Sequence, residues 1–258
     1  MGPLKKAIEL KPELGGAWRG LGICYLHSGR LDDAVTALKK AVSLDPGNSA
    51  AWYLLGASYG QAGRHEDAMG ACKKATELKP DFFEAWMGLA TSYSGVNRHE
   101  DAIAAYKTAI ELVPENAVAW NNLGDAYGQI GRLDEGIATA KKAIELDPKS
   151  EYGWGTLGEC YQKAGRYDEA IAALKESIKL APEHEFSWHC LGSCYRDTGR
   201  LDEAIAAYER AVKLKPDHAE AWYDLGGCYE KAGRKEEAAA AVEKAKSLKP
   251  ELFKKMGI

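Results

Sequence analysis

The 258-residue sequence has no run approaching the roughly 18 apolar residues that a membrane-spanning helix requires. Its opening residues, Met1-Gly2-Pro3-Leu4-Lys5-Lys6, lack the apolar core of a secretory signal. It also lacks a basic excess: 34 lysines and arginines stand against 38 aspartates and glutamates, a net charge of −4. That balance does not suit a general nucleic-acid binder, which displaces counterions with a basic stripe. No glycine-rich phosphate loop follows a strand pattern. The six cysteines show no disulfide framework, so a reducing, cytoplasmic compartment is the default.

What is present is one pattern, W-x2-L-G-x2-Y, clearest from Trp120 to Tyr127 and recurring every 34 residues. The tryptophans are Trp18, Trp52, Trp86, Trp120, Trp154, Trp188 and Trp222; the tyrosines are Tyr25, Tyr59, Tyr93, Tyr127, Tyr161, Tyr195 and Tyr229. Each copy carries a turn glycine, from Gly29 to Gly233, with Asn97 in the third, and each closes on a proline, from Pro46 to Pro250. Self-similarity at a fixed period sets the architecture of the whole chain.

This frame resembles a tetratricopeptide repeat array. The resemblance implies an all-α fold, a right-handed superhelical solenoid of stacked antiparallel helix pairs. It places seven repeats at 15–48, 49–82, 83–116, 117–150, 151–184, 185–218 and 219–252, with a half repeat at 1–14 and a short tail at 253–258.

Each copy reads as a helical hairpin. In the fourth, the spacing of Trp120, Leu123, Tyr127 and Ile130 puts all four on one face of a helix over 117–130. Gly131 suits a left-handed cap. Asp134 and Glu135 suit the positive start of the second helix, Lys141 and Lys142 lie toward its last turn, and Pro148 stops it. Gly124 and Gly136 let backbones approach, and the aromatic rings fill the space between hairpins. No hairpin buries that face alone, so neighbours must stack.

The frame separates scaffold from surface. The second, fifth, ninth and twelfth positions of the first helix share a face and vary between copies. The resemblance implies that this face lines a concave groove. On it, or beside it at the sixth position, stand Arg19, Tyr53, Met87, Asn121, Asn122, Asp125, Thr156, Glu159, His189, Arg196, Tyr223 and Asp224. This mixture suits an extended peptide: asparagine amides bond its backbone while Tyr53, Met87 and Tyr223 take its side chains. The lysine and asparagine clamp with which some relatives hold a chaperone's C-terminal carboxylate is missing. Arg19 is followed by Ile23, and Asn122 lies between Gly88 and Thr156 at equivalent positions.

His189, Cys190 and Cys194 carry metal-ligand residue types. Against that, Cys24, Cys160, Cys194 and Cys228 share one register with Ser58, Ser92 and Ala126, which reads as a small packing slot. Cys72 reads as core, and His65 and His99 hold a position occupied by Leu31, Leu133 and Leu201 in three other copies, which reads as local packing. No metal, cofactor or catalytic group is therefore expected. Acidic pairs such as Asp168 and Glu169 match helix starts rather than a catalytic dyad.

The expected function is a protein-interaction scaffold that binds a peptide or helix, without nucleic-acid or membrane binding. Two alternatives remain: a recruiting arm of a larger enzyme, and self-assembly through the solenoid ends. The chain starts in mid-repeat, as either a capping helix or a piece of a longer protein. The last repeat swaps apolar residues for Ala239 and Lys246, as an open stack end would. Leu252, Phe253 and Met256 are expected to fold back on that end.

Overall fold

The computed structural model describes residues 1–250, so the fold-back of Leu252, Phe253 and Met256 lies outside the described residues. It contains α1 (Gly2–Leu10), α2 (Gly15–His27), α3 (Leu31–Leu44), α4 (Ser49–Gln61), α5 (His65–Leu78), α6 (Phe83–Gly95), α7 (His99–Leu112) and α8 (Ala117–Gln129). It continues with α9 (Leu133–Leu146), α10 (Glu151–Lys163), α11 (Tyr167–Leu180), α12 (Glu185–Asp197), α13 (Leu201–Leu214), α14 (Ala219–Lys231) and α15 (Lys235–Leu248). After α1, helices of 13 and 14 residues alternate, and each such pair is one hairpin. No strand occurs among the described residues. The chain divides into two compact units, Met1–Ala126 and the part beginning at Tyr127.

Local chemistry explains every corner. The first helix of a hairpin ends on a residue with positive φ, from 70° at Gly29 to 77° at Gly131, where a side chain would clash. Asn97, at φ 58°, is the one non-glycine residue there, and asparagine tolerates that region. The next residue is always arginine, and its N–H donates back to the tyrosine carbonyl, as from Arg30 to Tyr25 at 3.0 Å and from Arg200 to Tyr195 at 2.8 Å. Its guanidinium stacks on that tyrosine ring, 4.3 Å from the centroid for Arg234 over Tyr229 and 4.5 Å for Arg64 over Tyr59. The same group also pairs with a carboxylate three residues on, as Arg166 does with Glu169 at 2.6 Å. The Gly-Arg pairs thus belong to the turn.

Second helices stop because the following residue precedes proline and is held extended; Asp45, for example, has ψ 82°. The proline carbonyl then accepts a hydrogen bond from the next tryptophan indole in all seven copies, at 2.8 Å for Trp86 to Pro80 and 3.1 Å for Trp154 to Pro148. This bond ties the repeat junction to the following helix. It also keeps the indoles half-buried rather than sealed between hairpins.

One placement differs from the reading above. α9 runs to Leu146, so Lys141 and Lys142 stand a turn short of its end, and Lys142 pairs with Glu145 at 2.9 Å rather than with the terminal carbonyls.

In the first unit the core gathers Leu21, Tyr25, Leu38, Leu55 and Tyr59; in the second it gathers Leu157, Tyr161, Leu174, Leu191, Tyr208 and Leu225. Glycines at the eighth frame position permit this packing, since a Cβ on Gly22 would meet Leu38 Cγ at 2.5 Å.

Candidate functional site

The sequence separates fixed from variable positions, and burial follows that division. Leu55, Leu89, Leu123, Leu191 and Leu225 are buried, while the neighbouring Tyr53, Met87, Asn121, His189 and Tyr223 stay half-exposed. Arg19, Asn122, Asp125, Glu159, Arg196 and Asp224 are half-exposed as well. Thr156 differs: it is only 8% exposed. It sits beside Gly155, whose missing side chain brings α12 so close that a Cβ there would meet Ser187 Oγ at 3.3 Å.

In the first unit, Arg19 reaches along the chain and donates from Nη1 to Asn48 Oδ1 at 3.4 Å. Tyr53 leans on Phe82, with ring centroids 5.3 Å apart, and burial pushes its phenol pKa up. Asn121 Nδ2 donates to Asn122 Oδ1 at 3.4 Å, and the side-chain oxygen Asn121 Oδ1 is buried without a partner. Thr91 Oγ1 and the Tyr106 hydroxyl share a hydrogen bond of 3.2 Å. Tyr53 and Met87 face a cavity of about 600 Å³ between α4, α5, α6 and the start of α8, which is also lined by Gly56, Gly60, Cys72, Gly88 and Val118. The sequence reading found the two side chains but not the cavity, because a void is made by what neighbouring helices omit. His65 lines it too, with its ring packed where a Cβ on Gly95 would meet His65 Cγ at 2.6 Å.

In the second unit, three residues expected on the surface come together. Asp224 accepts from Arg196 Nη1 at 2.8 Å on one oxygen and lies 3.0 Å from His189 Nε2 on the other. Arg196 Nε also donates to Asp197 at 2.9 Å. Beneath them the Tyr208 hydroxyl and Ser193 Oγ share a hydrogen bond of 2.9 Å. The rings of His189 and His218 lie 4.9 Å apart, and His218 Nδ1 is buried without a partner. Desolvation, helped by the neighbouring His189, lowers the His218 pKa from its ordinary value. Glu159 pairs with Lys163 at 2.9 Å. This wall meets its own charges from within.

Ser177, His184 and Ser187 also meet, with 2.7 Å between the hydroxyls and 2.8 Å from His184 Nδ1 to Ser187 Oγ. Both serines have 0% exposure, and Ser177 donates to the Glu151 carbonyl at 2.8 Å, so this is a sealed packing network. Burial raises the thiol pKa of Cys72 and of Cys194 to about 12, which suits packing rather than reactivity. On the side of the second helices, two apolar depressions of about 780 and 490 Å³ repeat one frame apart beside Trp154 and Trp188.

Residues 4–58 and 28–91 match the family described as Tetratricopeptide repeat, and residues 81–255 match the one described as Cilia and flagella-associated protein 70 C-terminal domain. The chain belongs to the tetratricopeptide repeat family. No curated protein matches it. Among solved structures it is similar to a tetratricopeptide repeat protein from Parabacteroides merdae, with a TM-score of 0.77 and 21% identity over 91% of this chain and 93% of that one. The Cut9–Hcn1 hetero-tetramer of the APC/C gives a TM-score of 0.78 at 20% identity over 96% of this chain and 49% of that one, so the present chain spans about half its length. MamA gives 0.54 at 29% identity over 64% of this chain and 97% of that one. The first two likenesses establish the tetratricopeptide repeat fold and no more. No helix among the described residues is long and apolar enough to cross a membrane.

Proposed function

We propose that this tetratricopeptide repeat chain is a protein-interaction scaffold that binds an extended peptide or a helix along the face of its first helices. One observation carries the reading: at frame positions that vary between copies, side chains remain accessible beside leucines that are buried in every copy. A rigid repeat scaffold presents such a face ready-made, which limits the ordering cost of binding. The Cut9–Hcn1 hetero-tetramer supports the reading only as an instance of this fold within a protein assembly.

The test selects peptides from a random displayed library on the immobilised chain and measures them by fluorescence anisotropy. Comparison is with two variants that retain the wild-type melting midpoint, Asn121→Ala/Asn122→Ala in the first unit and His189→Ala/Tyr223→Ala in the second. Weakening by about tenfold or more in either variant supports the first-helix face. Unchanged binding in both, and also in Met87→Ala at the cavity between α4 and α6, moves the site to the second helices, where the depressions beside Trp154 and Trp188 lie.

A further inference from the structure

The repeat frame lets one part of the chain serve as a reference for another. Four repeats of 34 residues separate Gly60 from Arg196, Cys72 from Tyr208, and Gly88 from Asp224. In the second unit, Arg196 and Asp224 form an ion pair at 2.8 Å, and Tyr208, fully buried, lies beneath with its hydroxyl bonded to Ser193. In the first unit, two glycines and a cysteine hold the same three positions, and what remains is the cavity of about 600 Å³. The junction between the second and third repeats is thus an unplugged version of the junction between the sixth and seventh.

The charge at the rim differs in the same way. Glu220 pairs with Lys249 at 2.6 Å. Its counterpart Glu84 lines the cavity, is exposed, and makes no ion pair among the described residues; the position matching Lys249 holds Val113. An uncompensated carboxylate therefore stands beside an apolar hollow walled by Tyr53, Phe83 and Met87.

We propose that this cavity is the anchor of the first-helix surface and takes a partner segment carrying two large apolar side chains beside a lysine or arginine. The proposal rests on the binding reading given above and adds which residues the partner must present. The apolar pair fills a volume larger than one side chain needs, in the range of well-formed ligand pockets. The basic group answers Glu84 and sets register and orientation more than affinity, as rim charges do.

Gly60→Leu tests the hollow directly. Gly60 lines the cavity, and a Cβ there would meet only Ala68 Cβ at 3.9 Å, an ordinary contact, so the backbone has room for the root of a side chain. Glu84→Lys, at an exposed position, reads the charge independently. Peptides selected from the random library should share two large apolar residues and a lysine or arginine. Gly60→Leu should weaken them by about tenfold or more without lowering the melting midpoint. Glu84→Lys should weaken them too, and a peptide with its basic residue changed to glutamate should bind Glu84→Lys better than it binds the wild type.

Peptides that bind Gly60→Leu as well as the wild type, yet lose affinity in Asn121→Ala/Asn122→Ala or His189→Ala/Tyr223→Ala, would overturn the anchor and leave the first-helix face standing. Peptides indifferent to all of these variants, or no enriched peptide at all, would overturn both. Selection of a small apolar compound but not of peptides by the cavity, seen as a midpoint rise that Gly60→Leu abolishes, would also overturn it.

Discussion

Gly158 and Gly70 are both helical glycines, yet a methyl group has opposite consequences at the two. A Cβ on Gly158 would meet Leu174 Cγ at 2.5 Å, whereas one on Gly70 meets nothing within 4 Å. Gly158→Ala overpacks a closed interface and should destabilise the chain by about 1–3 kcal/mol. Gly70→Ala removes backbone freedom from the unfolded chain and should stabilise it by about 0.5–1 kcal/mol. Urea melts of the two variants check both signs, and a shift in the same direction would contradict the packing account. At this scale the repeat is a set of small spaces as much as a set of side chains, and the cavity beside Gly60 and Gly88 is one such space left unfilled.

Helix starts differ from copy to copy although the frame is shared. Asn48 Oδ1 accepts from the Ala51 N–H at 3.0 Å, Asn116 Oδ1 from the Ala119 N–H at 2.9 Å, and Ser150 Oγ from the Gly153 N–H at 3.3 Å. His184 and His218 hold the same cap position without such a bond. Asn116→Ala should cost about 0.5–2 kcal/mol, measured by chemical denaturation.

At α14 the cap histidine adds a pH dependence. Its folded pKa lies below its ordinary value of 6.5, so the unfolded chain takes up the proton first. Stability is complete above that value and falls as pH drops through it toward the folded pKa. His189, Lys215, Glu220 and Glu185 all face the ring and set the balance. The melting midpoint should therefore drop as pH falls from neutral through 6.5, and His218→Asn should reduce that drop. The Glu220 carboxyl, held low by its Lys249 hydrogen bond, acts in a separate window, losing its contribution as pH falls below its ordinary value of 4.5.

In a repeat array stability is close to a sum of hairpins and their neighbour contacts, so burial should map onto local opening. α1 buries no residue completely, and α15 buries only Ala238, Ala241 and Ala245. By contrast, α3 buries Ala34, Val35, Ala37, Leu38, Ala41 and Val42, and α13 buries a matching set that includes Tyr208. Amide hydrogen exchange in α1 and α15 should be faster than in α3 and α13 by an order of magnitude or more. Uniform protection across all four helices would show that the chain unfolds as one block.

Most of the architecture was legible before any coordinate, because a period of 34 residues repeats the same local instructions. Turn glycines, closing prolines and apolar stripes act within a few residues of themselves, so the helices and their corners follow from adjacent sequence. The accessible face was also legible, since Tyr53, Met87, His189 and Tyr223 vary where Leu55, Leu89, Leu191 and Leu225 do not. What that face contains was decided only when helices from successive repeats met. The Asp224 bridge between His189 and Arg196 joins positions 35 and 28 residues apart, and nothing local announces it. The hollow at Gly60 and Gly88 depends on side chains missing from two helices at once, and a pattern of residues records absence only when neighbours are placed against each other.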